Sequence, residues 1–406
     1  MEPEEPLTPR GKLALGFGFG IYVAAWAFGS QPLYPVAVGL MLAVAFAWGW
    51  VRLAVGPAEL RREAGRGGEE EGDDVEVDLL LRLDGRVPPP GVTIVERIAK
   101  VGERRSLLER RGGDLLGGYV LKALPRGRYV LEEATAVVED PFGLERQLVP
   151  LRAAGTILVY PRLVELDRLF SESGAHAQDG RRLLLRRPSG FDLHSVREYE
   201  QGESLRKVHW RTTARRGQLM VKELEDAPRD EVAVLLDGDA SAVVGESFDV
   251  QVRAAGSLLH AHARRGRRAV LIVNAAAAES HRVHSDAGDW QGALEVLASV
   301  EPTAKTPVTA LLGREGNSAV RALELAIVTA RLAPGLTDRL IQRALGRRAV
   351  SIVYVDAASF GPKGRGRPEP ELLRLQAAGV AVAIVRRGDD LAAVLSSRPA
   401  EEALRA

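Results

Sequence analysis

Between Lys12 and Arg52 the chain carries no charged residue, and Leu, Ala, Val, Phe, Gly and Trp dominate the run. One crossing of a bilayer core takes about 20 apolar residues. This run is nearly double that, and Gly29-Ser30-Gln31-Pro32 breaks it near its middle. The pattern predicts a helical hairpin, Leu13 to Phe28 and Leu33 to about Val51, within residues 1–56. Trp26, Trp48, Trp50 and Tyr34 fall near the expected lipid–water boundaries, where aromatic rings prefer to sit. Gly16 and Gly20, four positions apart, predict a close approach of the two helices. Arg10 and Lys12 precede the hairpin, and Arg52, Arg61, Arg62 and Arg66 follow it, while the turn is uncharged. Positive flanks stay inside, so both ends are expected on the cytoplasmic face of the inner membrane. A cleaved signal peptide ending at Ala27-Phe28-Gly29 is the rival reading, and it too leaves the bulk of the chain cytoplasmic.

The rhythm then changes. Residues 57–74, containing "GRGGEEEGDD", read as a solvated linker. From 75 to 155, short alternating runs such as "VEVDLLLRL" and "VTIVERI" are separated by turn residues and predict a small antiparallel β-sandwich-like domain. Residues 156–230 form a connector that begins with a strand, "TILVYP" from Thr156 to Pro161. From 231 to 398, apolar strands such as "EVAVLLDGD", "AVLIVNA", "LELAIVTA", "AVSIVYVD" and "VAVAIVRR" alternate with helical stretches. Strands apolar on both faces and separated by helices predict a doubly wound parallel sheet, whose ligands bind beyond the carboxyl ends of the strands. The expected architecture is thus a membrane-anchored α/β plus β protein.

Composition narrows the chemistry. The 55 Lys and Arg nearly cancel the 54 Asp and Glu, so whole-chain charge argues for no nucleic-acid partner. With no Cys, thiol catalysis, disulfides and thiolate metal sites are excluded. No Walker-type phosphate loop and no Gly-x-Ser-x-Gly elbow occurs.

The connector carries the densest motif, "VREYEQGESLRKVHWRTTARRGQL" from Val196 to Leu219. Gly190-Phe191-Asp192, Arg197-Glu198-Tyr199, Gly202-Glu203-Ser204-Leu205-Arg206, Trp210, Ala214-Arg215 and Gly217-Gln218-Leu219 together resemble the signature of the family known as domain of unknown function 58. Arg126-Gly127, Asp140-Pro141-Phe142-Gly143 and Val159-Tyr160-Pro161 upstream resemble it as well. Glu203 stands where that family usually shows Asp, and His209 replaces another frequent Asp. The resemblance implies a membrane-anchored protein whose C-terminal domain is von Willebrand factor type A-like. It also implies association with MoxR-type AAA+ ATPases.

Physically, the motif suggests a short helix capped by Ser204 and stopped by Gly217, with Lys207, Arg211 and Arg215 in one basic stripe. Two readings stand open. Arg197, Glu198, Tyr199, Gly202, Glu203, Arg206, Trp210, Arg211 and Arg215 form either a partner-docking face or a polar latch between domains with Trp210 buried. Interleaved glutamates and a single Trp argue against nucleic acid.

Asp237, Asp239 and Ser241 form the second candidate site, at the expected end of the first parallel strand. Type A domains that bind a cation carry Asp-x-Ser-x-Ser there, since an octahedral Mg²⁺ takes hard oxygen ligands. Here a carboxylate replaces the middle Ser, and Thr329, Thr306 and Thr309 are the further hydroxyl candidates. The alternative is a pair of acids capping the next turn. His260 and His262 lie two apart on a presumed helix and point to different faces, and His281 with His284 lacks a further ligand nearby. The expectation is a non-enzymatic, membrane-tethered adaptor that recruits a MoxR-type ATPase. A divalent-metal-dependent enzyme or metal-gated module at Asp237, Asp239 and Ser241 is the alternative.

Overall fold

The computed structural model describes residues 7–65, 67–171, 193–198, 208–224, 232–276, 279–283, 287–313, 318–346, 348–362, 364 and 369–396. The chain divides into two units, Met1–Tyr160 and Pro161–Ala406.

The first unit begins with the hairpin, α1 (Pro9–Phe28) and α2 (Leu33–Ala54). Both helices are long and apolar enough to cross a membrane. Thr8 caps α1 by accepting the Gly11 N–H at 3.0 Å, Pro9 suits the first helical turn, and Gly29 ends the helix in the left-handed region that a side chain rarely adopts. Gly11, Gly18 and Ala25 are the buried positions of α1, seven apart, and Gly18 packs against Ala37, Leu40 and Met41 of α2. The close approach therefore runs through Gly18, while Gly16 and Gly20 have no neighbour within 4 Å of a Cβ position. A 3.6-residue helix turns those two away from the seam once Gly18 lies on it. Phe17, Phe19, Phe28, Leu42 and Phe46 are exposed, as lipid-facing side chains would be. Trp50 donates its indole N–H to the Pro88 carbonyl at 2.9 Å, and Arg52 lies over the Trp48 ring.

An eight-stranded antiparallel sheet follows: β1 (Ala58–Ala64), β2 (Val75–Leu83), β3 (Val92–Ile98), β4 (Gly102–Arg111), β5 (Asp114–Leu121), β6 (Gly127–Glu139), β7 (Arg146–Leu151) and β8 (Gly155–Val159). Its order is β1-β2-β5-β4-β3-β6-β7, with β8 also on β6. The expected sandwich is instead one continuous curled sheet. β4 pairs with β3 through Leu108 and then with β5 from Glu109, so a single long strand carries the sheet around the corner. The linker assignment for 57–74 is likewise corrected, because β1 pairs with β2 along its whole length. Its sequence, "AELRREA", looks solvated, yet Leu60 is buried and Arg62 turns inward. β8 belongs to this sheet rather than to a connector.

Alternation sets the core: Val75, Val77, Leu79 and Leu81 of β2 and Val92, Ile94 and Ile98 of β3 face inward. Glu96 is in phase with Ile94 and Ile98 and 1% exposed. It meets Arg62 Nε at 2.5 Å and the Tyr119 hydroxyl at 2.5 Å, while Arg62 also donates to the Ala153 carbonyl. β1 and β3 are separated in the sheet by β2, β5 and β4, so this contact closes the curl.

The hairpin is seated on this sheet without a flexible joint. Asp140 accepts the N–H groups of Phe142, Leu144 and Glu145, shaping the turn after β6. Thr8 donates its hydroxyl to the Gly143 carbonyl at 2.6 Å. A Cβ on Gly11 would fall on the Leu144 carbonyl, so only glycine allows this approach. At the other end Val51 enters the β core, and Arg86 N–H bonds the Leu53 carbonyl at 2.8 Å.

In the second unit, β9 (Leu193–Glu198) and β10 (Met220–Leu224) form an antiparallel ribbon whose connection contains α3 (Trp210–Arg216). A six-stranded sheet of order β13-β12-β11-β14-β15-β16 comes next. Its strands are β11 (Val232–Asp237), β12 (Ala269–Asn274), β13 (Glu279–Val283), β14 (Glu324–Thr329), β15 (Ala349–Val355) and β16 (Ala381–Val385). All pairings are parallel except that of β13, an edge strand whose polar "ESHRV" gives little apolar signal. The helices are α4 (Ser247–Arg264), α5 (Ala287–Ser299), α6 (Val308–Leu312), α7 (Ser318–Arg321), α8 (Leu336–Leu345), α9 (Pro370–Ala377) and α10 (Leu391–Ser396).

Val232, Val234 and Leu236 of β11 pack with α4, α5 and α10, while Ala233 and Leu235 pack with α6 to α9. The sheet is therefore covered on both faces, as its uninterrupted apolar strands require. The start of the presumed connector is part of this core: Leu166, Leu169 and Phe170 are buried against α4, and Val164 N–H bonds Ser257 Oγ at 3.0 Å.

Candidate functional site

Strand order alone singles out one place on the second sheet. β12 lies on one side of β11 and β14 on the other, so successive connections leave in opposite directions. That reversal opens a crevice beyond the carboxyl ends of β11 and β14, where open α/β sheets bind ligands. Asp237 ends β11 and Thr329 ends β14.

Asp237 is 4% exposed, and each of its oxygens accepts one hydrogen bond from a neutral donor: Asn274 Nδ2 to Oδ1 and Thr329 Oγ1 to Oδ2, both at 2.8 Å. Asn274, at the end of β12, also donates to the Thr306 carbonyl at 3.1 Å, and its own Oδ1 has no partner among the described residues. Gly238 permits the next step of the chain, because a Cβ there would meet the Asn274 carbonyl at 2.5 Å. Asp239 then accepts the backbone N–H and hydroxyl of Ser241 at 2.9 and 2.7 Å, capping a short 3₁₀ turn, Ala240–Ala242. Across the crevice, Arg331 Nη1 donates to Ser241 Oγ at 2.9 Å and lies 3.5 Å from Asp239 Oδ2. The structure thus brings Asp237, Asp239 and Ser241 together and adds Asn274 and Arg331, which no local motif marks. Thr306 contributes a carbonyl rather than a hydroxyl, and Thr309 lies on α6.

A divalent cation of the kind the type A resemblance implies would need free oxygen ligands here. Asp237 is satisfied by neutral donors, and the outer carboxylate and hydroxyl already hold a guanidinium. As arranged, the residues fit Arg331 and not a metal ion. No group of three or more His, Asp or Glu side chains among the described residues is placed to hold one either.

Burial pushes the Asp237 carboxyl above its ordinary value of 3.8; hydrogen bonds from Asn274 and Thr329 pull it back, and the Asp239 charge pushes it up further. The folded chain thus keeps a proton that the unfolded chain has released, so Asp237 costs stability as pH rises from 3.8 through its folded value. Asp237→Asn should remove that cost. Its melting temperature relative to wild type is expected to climb as pH rises above 3.8 and to level off once the folded carboxyl has ionised as well. Parallel melts across that range check this, and a constant difference would refute it.

The motif of the ribbon is only partly visible. Tyr199, Gly202, Glu203 and Arg206 lie outside the described residues, as does Ser204, the expected helix cap. Arg197 and Glu198 stand on β9, paired with Val221 and Met220 of β10. α3 starts at Trp210, later than expected, with His209 before it; Gly217 ends it in the left-handed region as expected. His209 N–H bonds the Met220 carbonyl at 2.7 Å and Thr213 Oγ1 accepts the Met220 N–H at 3.0 Å, tying α3 to the ribbon. Val208 and Met220 are buried, whereas Trp210 is 65% exposed. Arg211 and Arg215 are exposed as well.

His260 stacks on Trp290 at 4.8 Å between centroids, and His262 is buried and pushed down to about 4 by that burial. His281 contacts the Asp289 carbonyl at 3.0 Å, and His284 lies outside the described residues.

Residues 195–360 match the family model described as "Protein of unknown function DUF58". A curated relative, "Uncharacterized protein YeaD" of Bacillus subtilis (strain 168), is 26% identical over 221 residues, which is 53% of this chain and 53% of the relative. The chain thus spans about half the length of the curated relative it matches. Among solved structures there is a weak similarity to a von Willebrand factor type A protein from Catenulispora acidiphila: TM-score 0.28, 14% identity, 41% of this chain and 40% of that one. Another match is to the bacterial hydrophobin BslA, with TM-score 0.18 and 14% identity, covering 26% of this chain and 100% of that one.

Proposed function

We propose that this chain is a non-enzymatic, membrane-tethered scaffold whose second unit recruits a protein partner on the cytoplasmic side of the inner membrane. The partner named by the family resemblance is a MoxR-type AAA+ ATPase, which would act on a membrane-side complex. The observation that carries the reading is Trp210: a large apolar ring, 65% exposed, on a helix with Arg211, Arg215 and Arg216 and no acid. Large aromatics and arginines are the residues that anchor protein interfaces, and the helix's charge fits an acidic patch on the partner.

The seat of the hairpin on the curled sheet supports the tether. Both helix ends are fixed by backbone contacts, so the first unit would hold a set orientation to the bilayer. Confinement at the membrane raises the local concentration of a recruited partner around membrane clients.

Extraction of the full chain in mild detergent, with ATP and Mg²⁺ present, is expected to bring a MoxR-type ATPase with it. Repeated recovery of the chain alone would overturn the adaptor reading. Protease added outside intact cells should leave the folded bulk uncut, and its digestion would overturn the proposed topology.

A further inference from the structure

We infer that Arg331 is the resident cation of the crest between β11 and β14, so that this type A-like site is independent of divalent metal. Three observations meet on the inference. The Arg331 guanidinium already holds the outer oxygens, Ser241 Oγ at 2.9 Å and Asp239 Oδ2 at 3.5 Å. Its position is set from the strand behind it, because Arg331 N–H donates to Thr329 Oγ1 at 3.1 Å and that hydroxyl in turn faces Asp237. The crest also has anionic charge to compensate: Asp237 ends β11, Asp239 follows two residues on, and the Arg331 guanidinium lies 3.5 Å from Asp239 Oδ2.

A Mg²⁺ ion binds oxygen at about 2.0–2.1 Å. An ion on Asp239 and Ser241 would therefore sit within a few ångströms of the guanidinium. The two positive charges would repel at close range, so the guanidinium held on these oxygens disfavours an ion there. The guanidinium belongs to the chain itself, so the crest has its cation without depending on metal supply.

Removing the guanidinium should turn the crest into a metal site. Mn²⁺ serves as the probe on the full chain in detergent, with bound ion read by electron paramagnetic resonance and by thermal shift. Wild type is expected to show no saturable binding at about millimolar Mn²⁺. Arg331→Ala should bind one ion per chain at least ~10-fold more tightly, which is about 1.4 kcal/mol. The gain should vanish in Arg331→Ala/Asp239→Ala, and Arg331→Lys should keep the wild-type exclusion. Arg331→Met, which retains the aliphatic stem, replaces the alanine variant if that chain does not fold. Wild type binding Mn²⁺ as tightly as the variant would overturn the inference, and so would a folded variant that gains nothing.

Discussion

Glu96→Ala is expected to destabilise the curled sheet by about 3–5 kcal/mol, the range for breaking one side of a buried ion pair. Glu96 is 1% exposed and the Arg62 side chain 7%, so neither can turn to water when its partner is lost. Both carboxylate oxygens are engaged, one by Arg62 and one by Tyr119. Burial, then the hydrogen bond to Glu96, holds the Tyr119 phenol far above its usual range, so it stays a donor at every accessible pH. Tyr119→Phe should cost less, about 1.5–3 kcal/mol, because one hydrogen bond to a charged group is lost and no ion is orphaned. The paired change Arg62→Met with Glu96→Leu should recover most of the loss, since apolar replacements of a buried pair are often neutral. A two-unit chain does not unfold in two states, so amide exchange across β1 and β3 is the local measurement. Unchanged protection in Glu96→Ala would show that the triad does not hold the curl.

Under the proposed adaptor function, Trp210→Ala is expected to weaken binding of the proposed MoxR-type partner by about 2 kcal/mol, or roughly 30-fold, while leaving the fold intact. The ring contributes little to the core, since it is 65% exposed, and α3 is held instead by Val208, Met220 and Thr213. Reversing Arg211 and Arg215 together to Glu should act mostly on association rate and make the loss depend on salt. The test is affinity measured with the full chain in detergent, alongside its melting temperature. A lower melting temperature with unchanged affinity would return Trp210 to a structural role.

The parts of this protein that were legible in the sequence rest on local pattern. An uncharged run broken by Gly29 to Pro32 becomes α1 and α2, because lipid length and helix rise set the same count. Apolar strands alternating with helices become the second sheet, and Asp237, Asp239 and Ser241 fall at its crest because they follow the first strand directly. Misreadings came where polar residues face inward. "AELRREA" looked like linker because its charges hide that Arg62 serves a carboxylate 34 positions away. β13 was missed for want of apolar residues at a sheet edge.

Sequence by itself thus determined the two apolar helices, the alternation of strands and helices in the second sheet and the carboxylates of the crest, since each follows from residues adjacent along the chain. Tertiary structure decided what those groups do. Asn274 reaches Asp237 across 37 positions, Arg331 reaches Ser241 across 90, and Trp210 turns outward because Val208 and Met220 take the buried places. The single sheet in place of a sandwich was decided the same way, by β4 bending between two partners. Contacts of that kind depend on where folding brings distant strands, and periodicity carries no information about such distances.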